Sequence, residues 1–540
     1  MTDARSFVRN ASGLVRELSF WDYFITNMNG VQPLASMMVT PWFIWFAVKG
    51  GDPILGLIGG LLFGLFGTIP VFAYMTSTFP RSAAPYVANS RILHPAIGWP
   101  SEFLMWFSYG PLGLSLMGGV MISWGLVPGL YTMGISSGNK ALISDAFTLT
   151  QPIWIAVISV LVIFISMGFA ILGTKRLART FQLPATILAF FAVAIILAIW
   201  AMTTPASLNS SISHYLGRSP SDIITYAKTN YPAGVAPVSY AFLPILGSIA
   251  FTVGSLNTYW ASWGGGEVRK ASSVKTNIMA MAGPSILIFI VVVAVIALAE
   301  MTVGRPFLVS MTQILTYNPS YFKGVPLVSS FSTMSLVPMA ISNNTLVQFI
   351  IMVGIIANIL APGTVYIWII ISRDFFAWSF DRILPSKFAD VNSRTHTPVF
   401  NLLVNAIIAS VFALIISFTS ALSYALVATF ATSVLSVSIL MISAVVIPLR
   451  KNVWRQSTAR NHKIGALPVI VIFGIVGFIY QITAVVFYTL LTPILGFGVN
   501  AAYILLAAWI IPFMAYWGIK YIRKTQGIDL NLVFANIPPE

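Results

Sequence analysis

Apolar residues run along this chain in long uninterrupted blocks, such as Pro152 to Leu172 and Ser285 to Ala299. They show neither the alternation of a strand nor the one-sided stripe of a soluble helix. Each block approaches or exceeds the roughly 20 residues that cross a hydrocarbon layer of about 30 Å at 1.5 Å per residue. Outer-membrane barrels need strands of about ten residues with every second side chain polar, so the blocks read as helices. Gly/Pro punctuation and charged ends cut the chain into about twelve spans near 20–48, 53–79, 100–133, 152–172, 182–204, 240–266, 277–303, 344–372, 398–418, 421–448, 466–490 and 498–522. Two longer polar stretches, 205–239 and 304–343, predict short helices lying as lids over one mouth. The expected fold is an all-α membrane protein forming one domain over 1–540.

Two of the spans are broken by polar residues. Helix 1 carries Thr26-Asn27-Met28-Asn29-Gly30-Val31-Gln32-Pro33 inside an otherwise apolar run. Pro33 removes a backbone donor and disfavours helical geometry at Gln32, while Gly30 lowers the cost of an unwound turn. Helix 6 repeats the feature with Thr252-Val253-Gly254-Ser255-Leu256-Asn257-Thr258-Tyr259-Trp260, followed by Gly264-Gly265-Gly266. Open backbone at membrane depth is tolerated only where it lines a cavity or is buried in protein. Interruptions five helices apart predict a 5+5 inverted repeat, residues 17–204 and 240–448, with two additional helices over 466–522 and a solute site where the breaks meet. The competing explanation is a pair of Pro/Gly kinks that serve tight helix packing.

Composition and charge sharpen this picture. Charged residues are 8% of the 540 and the formal net charge is +15. With the N-terminus on the cytoplasmic side, only Lys49, Lys140, Arg218, Lys228, Arg305 and Lys323 of the 29 Lys and Arg fall on the outer side. That asymmetry places both termini in the cytoplasm, and it assigns the positive charge to inner loops of a cytoplasmic-membrane protein and not to a nucleic-acid surface. The absence of cysteine excludes disulfides, thiolate metal sites and cysteine nucleophiles.

Several short motifs resemble the amino acid–polyamine–organocation (APC) family of permeases. After helix 8 come Ser372-Arg373-Asp374-Phe375-Phe376-Ala377, Asp381-Arg382-Ile383-Leu384-Pro385 and Val391-Asn392-Ser393-Arg394-Thr395-His396-Thr397-Pro398, similar to the family's inner loop before helix 9. Phe79-Pro80-Arg81-Ser82-Ala83-Ala84-Pro85-Tyr86 resembles the motif that ends helix 2, with Ala83-Ala84 in place of Gly-Gly. Glu267-Val268-Arg269 resembles the end of helix 6, with Ala271 where the family has Pro, and Glu17-Leu18-Ser19 the lead-in to helix 1. The resemblance implies a LeuT-type fold, alternating access and a central substrate site. The family's Gly-x-Gly at the first break corresponds to the region of Pro33-Leu34-Ala35, so the donors here are expected around Asn27, Asn29 and Gly30.

The expected function is therefore secondary active transport of amino acids or similar small organic solutes, with a transporter-like sensor or channel on the same scaffold as the alternative. The expected solute contacts are Asn27, Asn29, Gly30, Gln32, Gly254, Ser255, Asn257, Tyr259 and Trp260. Trp260 and Tyr259 follow the second break, where an aromatic can cover a solute and favour an ammonium group. An enzyme is disfavoured because the spans hold no cluster of His, Asp and Glu. Asp22, Glu102, Glu267 and Glu300 fall near expected helix ends, in solvated or capping positions. No metal or cofactor is expected, and coupling to Na+, to H+ or to neither stays open. Helix 5 has Leu188 where some family members carry a lysine. Thr364, beside Pro362-Gly363, is the candidate Na+ ligand together with carbonyls near Asn29, against the alternative that it bonds its own helix backbone.

Overall fold

The structure is a computed structural model that describes residues 16–256, 258–326, 332–360, 364–419, 422–490 and 498–535. Among these residues, nine helices are apolar and long enough to cross a membrane. Two of the three other expected spans are interrupted: helix 1 is divided into Phe20–Val31 and Pro33–Ala47, and helix 6 into Phe242–Ala250, Val253–Leu256 and a 3-10 segment Trp260–Glu267. Helix 8 is described as Thr345–Asn358 and Thr364–Phe380, with 361–363 outside the described residues. The stretches between helices 5 and 6 and between 7 and 8 fold as short helices: Pro205–Leu216 and Pro220–Asn230, then Arg305–Tyr317 and Thr333–Ser342.

Boundaries differ from expectation at two places that matter. Helix 3 begins at Pro95, capped by the His94 imidazole accepting from the Ala96 amide at 3.1 Å, so Glu102 lies two turns inside it and not near its end. Helix 8 runs on to Phe380, which places Arg373 and Asp374 within the helix. Helix 3 also contains a π-turn, Ser108–Leu114, around Pro111. A proline there cannot donate to the carbonyl four residues back, and the widened turn accommodates it.

Loops that the charge asymmetry assigns to one side share one face. The lead-in strand bridges the end of helix 6, with the Leu18 amide donating to the Glu267 carbonyl at 3.0 Å and the Arg269 amide to the Leu18 carbonyl at 3.2 Å. Two of the motifs singled out in the sequence therefore pair with each other. On the same face, Arg91 grips Asp381 through two bonds of 2.6 and 2.7 Å, and Arg450 donates to the carbonyls of Ile92 and Leu93. Ala83 donates its amide to the Trp263 carbonyl at 2.8 Å from a left-handed conformation, φ 51° and ψ 50°. That conformation costs an L-residue roughly 1–2 kcal/mol relative to glycine, which explains the glycine of the related motif.

Candidate functional site: a cavity between two helix breaks

The first break is a single residue wide. Gln32 sits at φ 57° and ψ 114°, its amide still bonded to the Met28 carbonyl at 3.1 Å. Pro33 has no N–H, so the Asn29 carbonyl lacks the donor a continuous helix would supply. No hydrogen bond joins the Leu34 or Ala35 amide to the preceding half among the described residues. These are the unsatisfied donors at a helix N-terminus, where the backbone dipoles favour a negative group. Ser36 satisfies the Val31 carbonyl instead, at 2.7 Å.

At the second break, hydroxyl groups tie helix 6 to helix 7. Ser285 donates its hydroxyl to the Leu256 carbonyl, and Thr258 donates its hydroxyl to the Met281 carbonyl. Pro284, within helix 7, cannot bond the Ala280 carbonyl. The Asn27 side-chain amide donates to that carbonyl at 3.1 Å, while its oxygen accepts the Ala261 amide at 3.0 Å. One side chain from the first break thus holds the second break and helix 7 together.

The two breaks meet in space. A Cβ built on Gly30 would lie 2.1 Å from Cδ1 of Trp260, and one on Gly254 would lie 2.2 Å from Cε1 of Phe430. Between them lies a cavity of about 80 Å³ lined by Gly30, Val31, Gln32, Ala35, Ser36 and Val39 of helix 1 and by Gly254 and Trp260 of helix 6. Helix 3 adds Tyr109, Gly113, Leu116, Met117, Val120 and Trp124; helix 8 adds Ile359, Tyr366 and Ile367; and helix 10 adds Leu426, Thr429 and Phe430. No lining residue among those described is charged. Trp260 packs edge-on to Tyr109 with ring centres 4.9 Å apart and lies 5.5 Å from Tyr366. The buried indole N–H of Trp260 has no acceptor among the described residues. Tyr109 enters from the π-turn of helix 3, where the extra residue re-aims the side chains.

Of the expected contacts, Gly30, Gln32, Gly254 and Trp260 line the cavity, whereas Asn27, Asn29 and Tyr259 do not. Asn29 is turned toward helix 5, its oxygen accepting the Thr186 hydroxyl at 2.6 Å. Gln32 accepts from the Asn358 amide at 2.7 Å, which ties the first break to helix 8. Tyr259 stacks on Phe72 with centres 4.0 Å apart and planes 5° from parallel. Asn257, the side chain of Ser255, Pro362 and Gly363 lie outside the described residues. The Thr364 hydroxyl donates to the Leu360 carbonyl at 2.7 Å, the local backbone bond named as its alternative role, and its oxygen keeps lone pairs free to accept. Tyr109, Trp124, Tyr366 and Phe430 are lining residues that sequence reasoning missed. With 13% of the chain aromatic, no periodic signal separates them from packing residues.

Ionisable residues depart from the capping roles expected of them in two of four cases. Asp22 does cap helix 1, accepting from the Ser19 amide and hydroxyl at 3.0 and 2.8 Å and from Arg179 at 2.8 Å. Glu300 accepts from the Trp45 indole and from Arg305, at 3.3 and 3.1 Å. Glu267 and Glu102 are buried within the helix packing. Glu267 accepts from Arg373 at 2.7 Å and from the Thr174 hydroxyl at 2.8 Å. Their partners come from helices distant in sequence, which no local pattern shows.

No family model and no curated protein matches this chain by sequence. Its fold is similar to that in the crystal structure of MhsT in complex with L-phenylalanine, with a TM-score of 0.54 and 14% identity over 88% of this chain and 98% of that one. At that identity the likeness is one of fold, and it bears out the all-α, multi-span architecture and the LeuT-type arrangement that the motifs imply.

Proposed function

We propose that the chain is a secondary transporter of the APC type that carries amino acids with apolar side chains, or similar small organic solutes, across the cytoplasmic membrane by alternating access. The observation that carries this reading is the meeting of two interrupted helices at an aromatic-walled cavity with no charged residue among its described lining, with Gly30 against Trp260. The open amides at Leu34 and Ala35 supply donors for a carboxylate, and broken-helix carbonyls supply acceptors for an ammonium group. The walls of Tyr109, Met117, Trp260, Tyr366 and Phe430 suit an apolar side chain, and MhsT, which shares the fold, was crystallised with L-phenylalanine. Gly30, Gln32, Gly254 and Trp260 are the assigned solute contacts of helices 1 and 6. Asn27 and Asn29 act by holding the breaks in place, and Thr364 with the carbonyls near Asn29 remains the proposed Na+ position.

On this reading helices 1–5 and 6–10 are the two repeats, each opening on its broken helix, and the face carrying Leu18, Arg91 and Arg450 is cytoplasmic. Reconstituted protein is expected to take up a labelled apolar amino acid with saturation. Gly30→Ala and Gly254→Leu, which push a side chain into Trp260 or Phe430, are expected to abolish that uptake. Flux without saturation, or binding with no turnover, would instead point to the channel or sensor reading.

A further inference from the structure

Away from the cavity, the described residues bury three carboxyl sites among helices 3, 6 and 8, and two of them are neutralised by arginine. Glu267 is held by Arg373 and Asp381 by Arg91, all four side chains at most 7% exposed. The third site has no cation. Glu102 on helix 3 and Asp374 on helix 8 are 1% and 0% exposed, and their carboxyls lie within hydrogen-bonding reach of each other. The Trp263 indole donates to Glu102 Oε1 at 2.5 Å. Glu102 Oε2 and both oxygens of Asp374 have no other donor among the described residues.

Arg373, the neighbour of Asp374 in sequence, turns its guanidinium to Glu267 and Thr174. Trp99, Phe103 and Trp106, on the same helix as Glu102, pack on Trp378 of helix 8. Among the described residues neither carboxyl is paired with a Lys, Arg or His. An ionised carboxylate only accepts hydrogen bonds, and two of them in contact without a cation repel strongly when buried. One proton shared between two such carboxyls removes that repulsion.

We propose that Glu102 and Asp374 form the proton-binding site of the transport cycle, loaded and unloaded as the inner part of helix 6 moves. This rests on the transporter reading and adds a proton to its cycle, beside the Na+ position proposed at Thr364. A chain of contacts joins the pair to the cavity: Trp260 lines it, Trp263 lies beside Trp260 with ring centres 6.3 Å apart and planes at 25°, and Trp263 holds Glu102. A solute that moves Trp260 moves the donor on Glu102. The proton passes between the carboxyl pair and water, and only O–H bonds are made or broken.

The test uses the full chain with Glu102→Gln and Asp374→Asn, which keep the shape; a Gln at 102 still accepts from Trp263 and donates permanently to Asp374. Infrared spectra of the purified wild type are expected to show a protonated-carboxyl C=O stretch, shifted in D2O and lost in either variant. In proteoliposomes, uptake driven by a pH gradient is expected to be lost in both variants, while solute counterflow, which needs no ion gradient, persists. A carboxyl band that survives both substitutions, wild-type uptake indifferent to the pH gradient, or variants as pH-driven as the wild type would each overturn the proposal. Absence of counterflow in the wild type would instead defeat the transporter reading, and the infrared band would still decide whether the pair holds a proton.

Discussion

At the scale of single residues, Asn27 carries the sharpest contrast between two roles. A solute ligand would be free to bond a solute, but both ends of this side chain are engaged, by the Ala280 carbonyl and the Ala261 amide. Asn27→Leu preserves approximate size and leaves those two buried backbone groups without partners, at about 1–3 kcal/mol each. The expected outcome is a large fall in the melting temperature of the purified protein, measured without any solute; an unchanged melting temperature with lost solute binding would restore the ligand role. The sequence made Asn27 visible, since an asparagine inside an apolar span asks for a partner. It could not show that the partner is a carbonyl freed by Pro284, because the two positions are brought together only by the fold. Glu102 and Asp374 illustrate the same limit: judged by neighbours in the chain they look like helix-end residues, and only packing reveals that they face each other.

At the scale of elements, the two breaks were legible because proline and glycine act on the backbone through their own covalent structure, with no need of tertiary context. Gln32, Pro33 and Gly254 all lie at the positions that reasoning marked. Helix boundaries were less legible. Helix 3 starts at Pro95 and helix 8 continues to Phe380, since Arg373 and Asp374, which look like a polar terminus, are absorbed by partners on helices 6 and 3. The π-turn that presents Tyr109 leaves no mark that separates it from ordinary helix, although Gly110, Pro111 and Gly113 hint at irregularity. The first break yields a prediction of its own. Pro33→Ala restores the N–H that could close onto the Asn29 carbonyl and removes a residue that costs a helix interior about 3 kcal/mol. Solute affinity is therefore expected to fall as continuous helix competes with the open form, and hydrogen exchange at the Leu34 and Ala35 amides is expected to slow. Unchanged exchange and affinity would show that the turn at Gln32, and not the missing donor, maintains the break.

At the scale of the whole molecule, the distribution of Lys and Arg foresaw which loops share a face, and the Leu18–Val268 bridge, the Arg91–Asp381 pair and the Arg450 contacts gather those loops together. What the sequence could not give was the composition of the cavity wall, because helices 3, 8 and 10 contribute residues no different in type from those facing lipid. The lack of cysteine makes the central claim, that solute binds where the two breaks meet, directly measurable. Ala35 lines the cavity beside the open amides, and Ser137 is exposed at the far end of helix 3. With single cysteines at these two positions, Ala35→Cys and Ser137→Cys, thiol labelling of the purified protein is compared with and without saturating transported amino acid. The account predicts that solute slows labelling at position 35 and leaves position 137 unchanged; equal labelling rates at position 35 in the presence and absence of solute would contradict it.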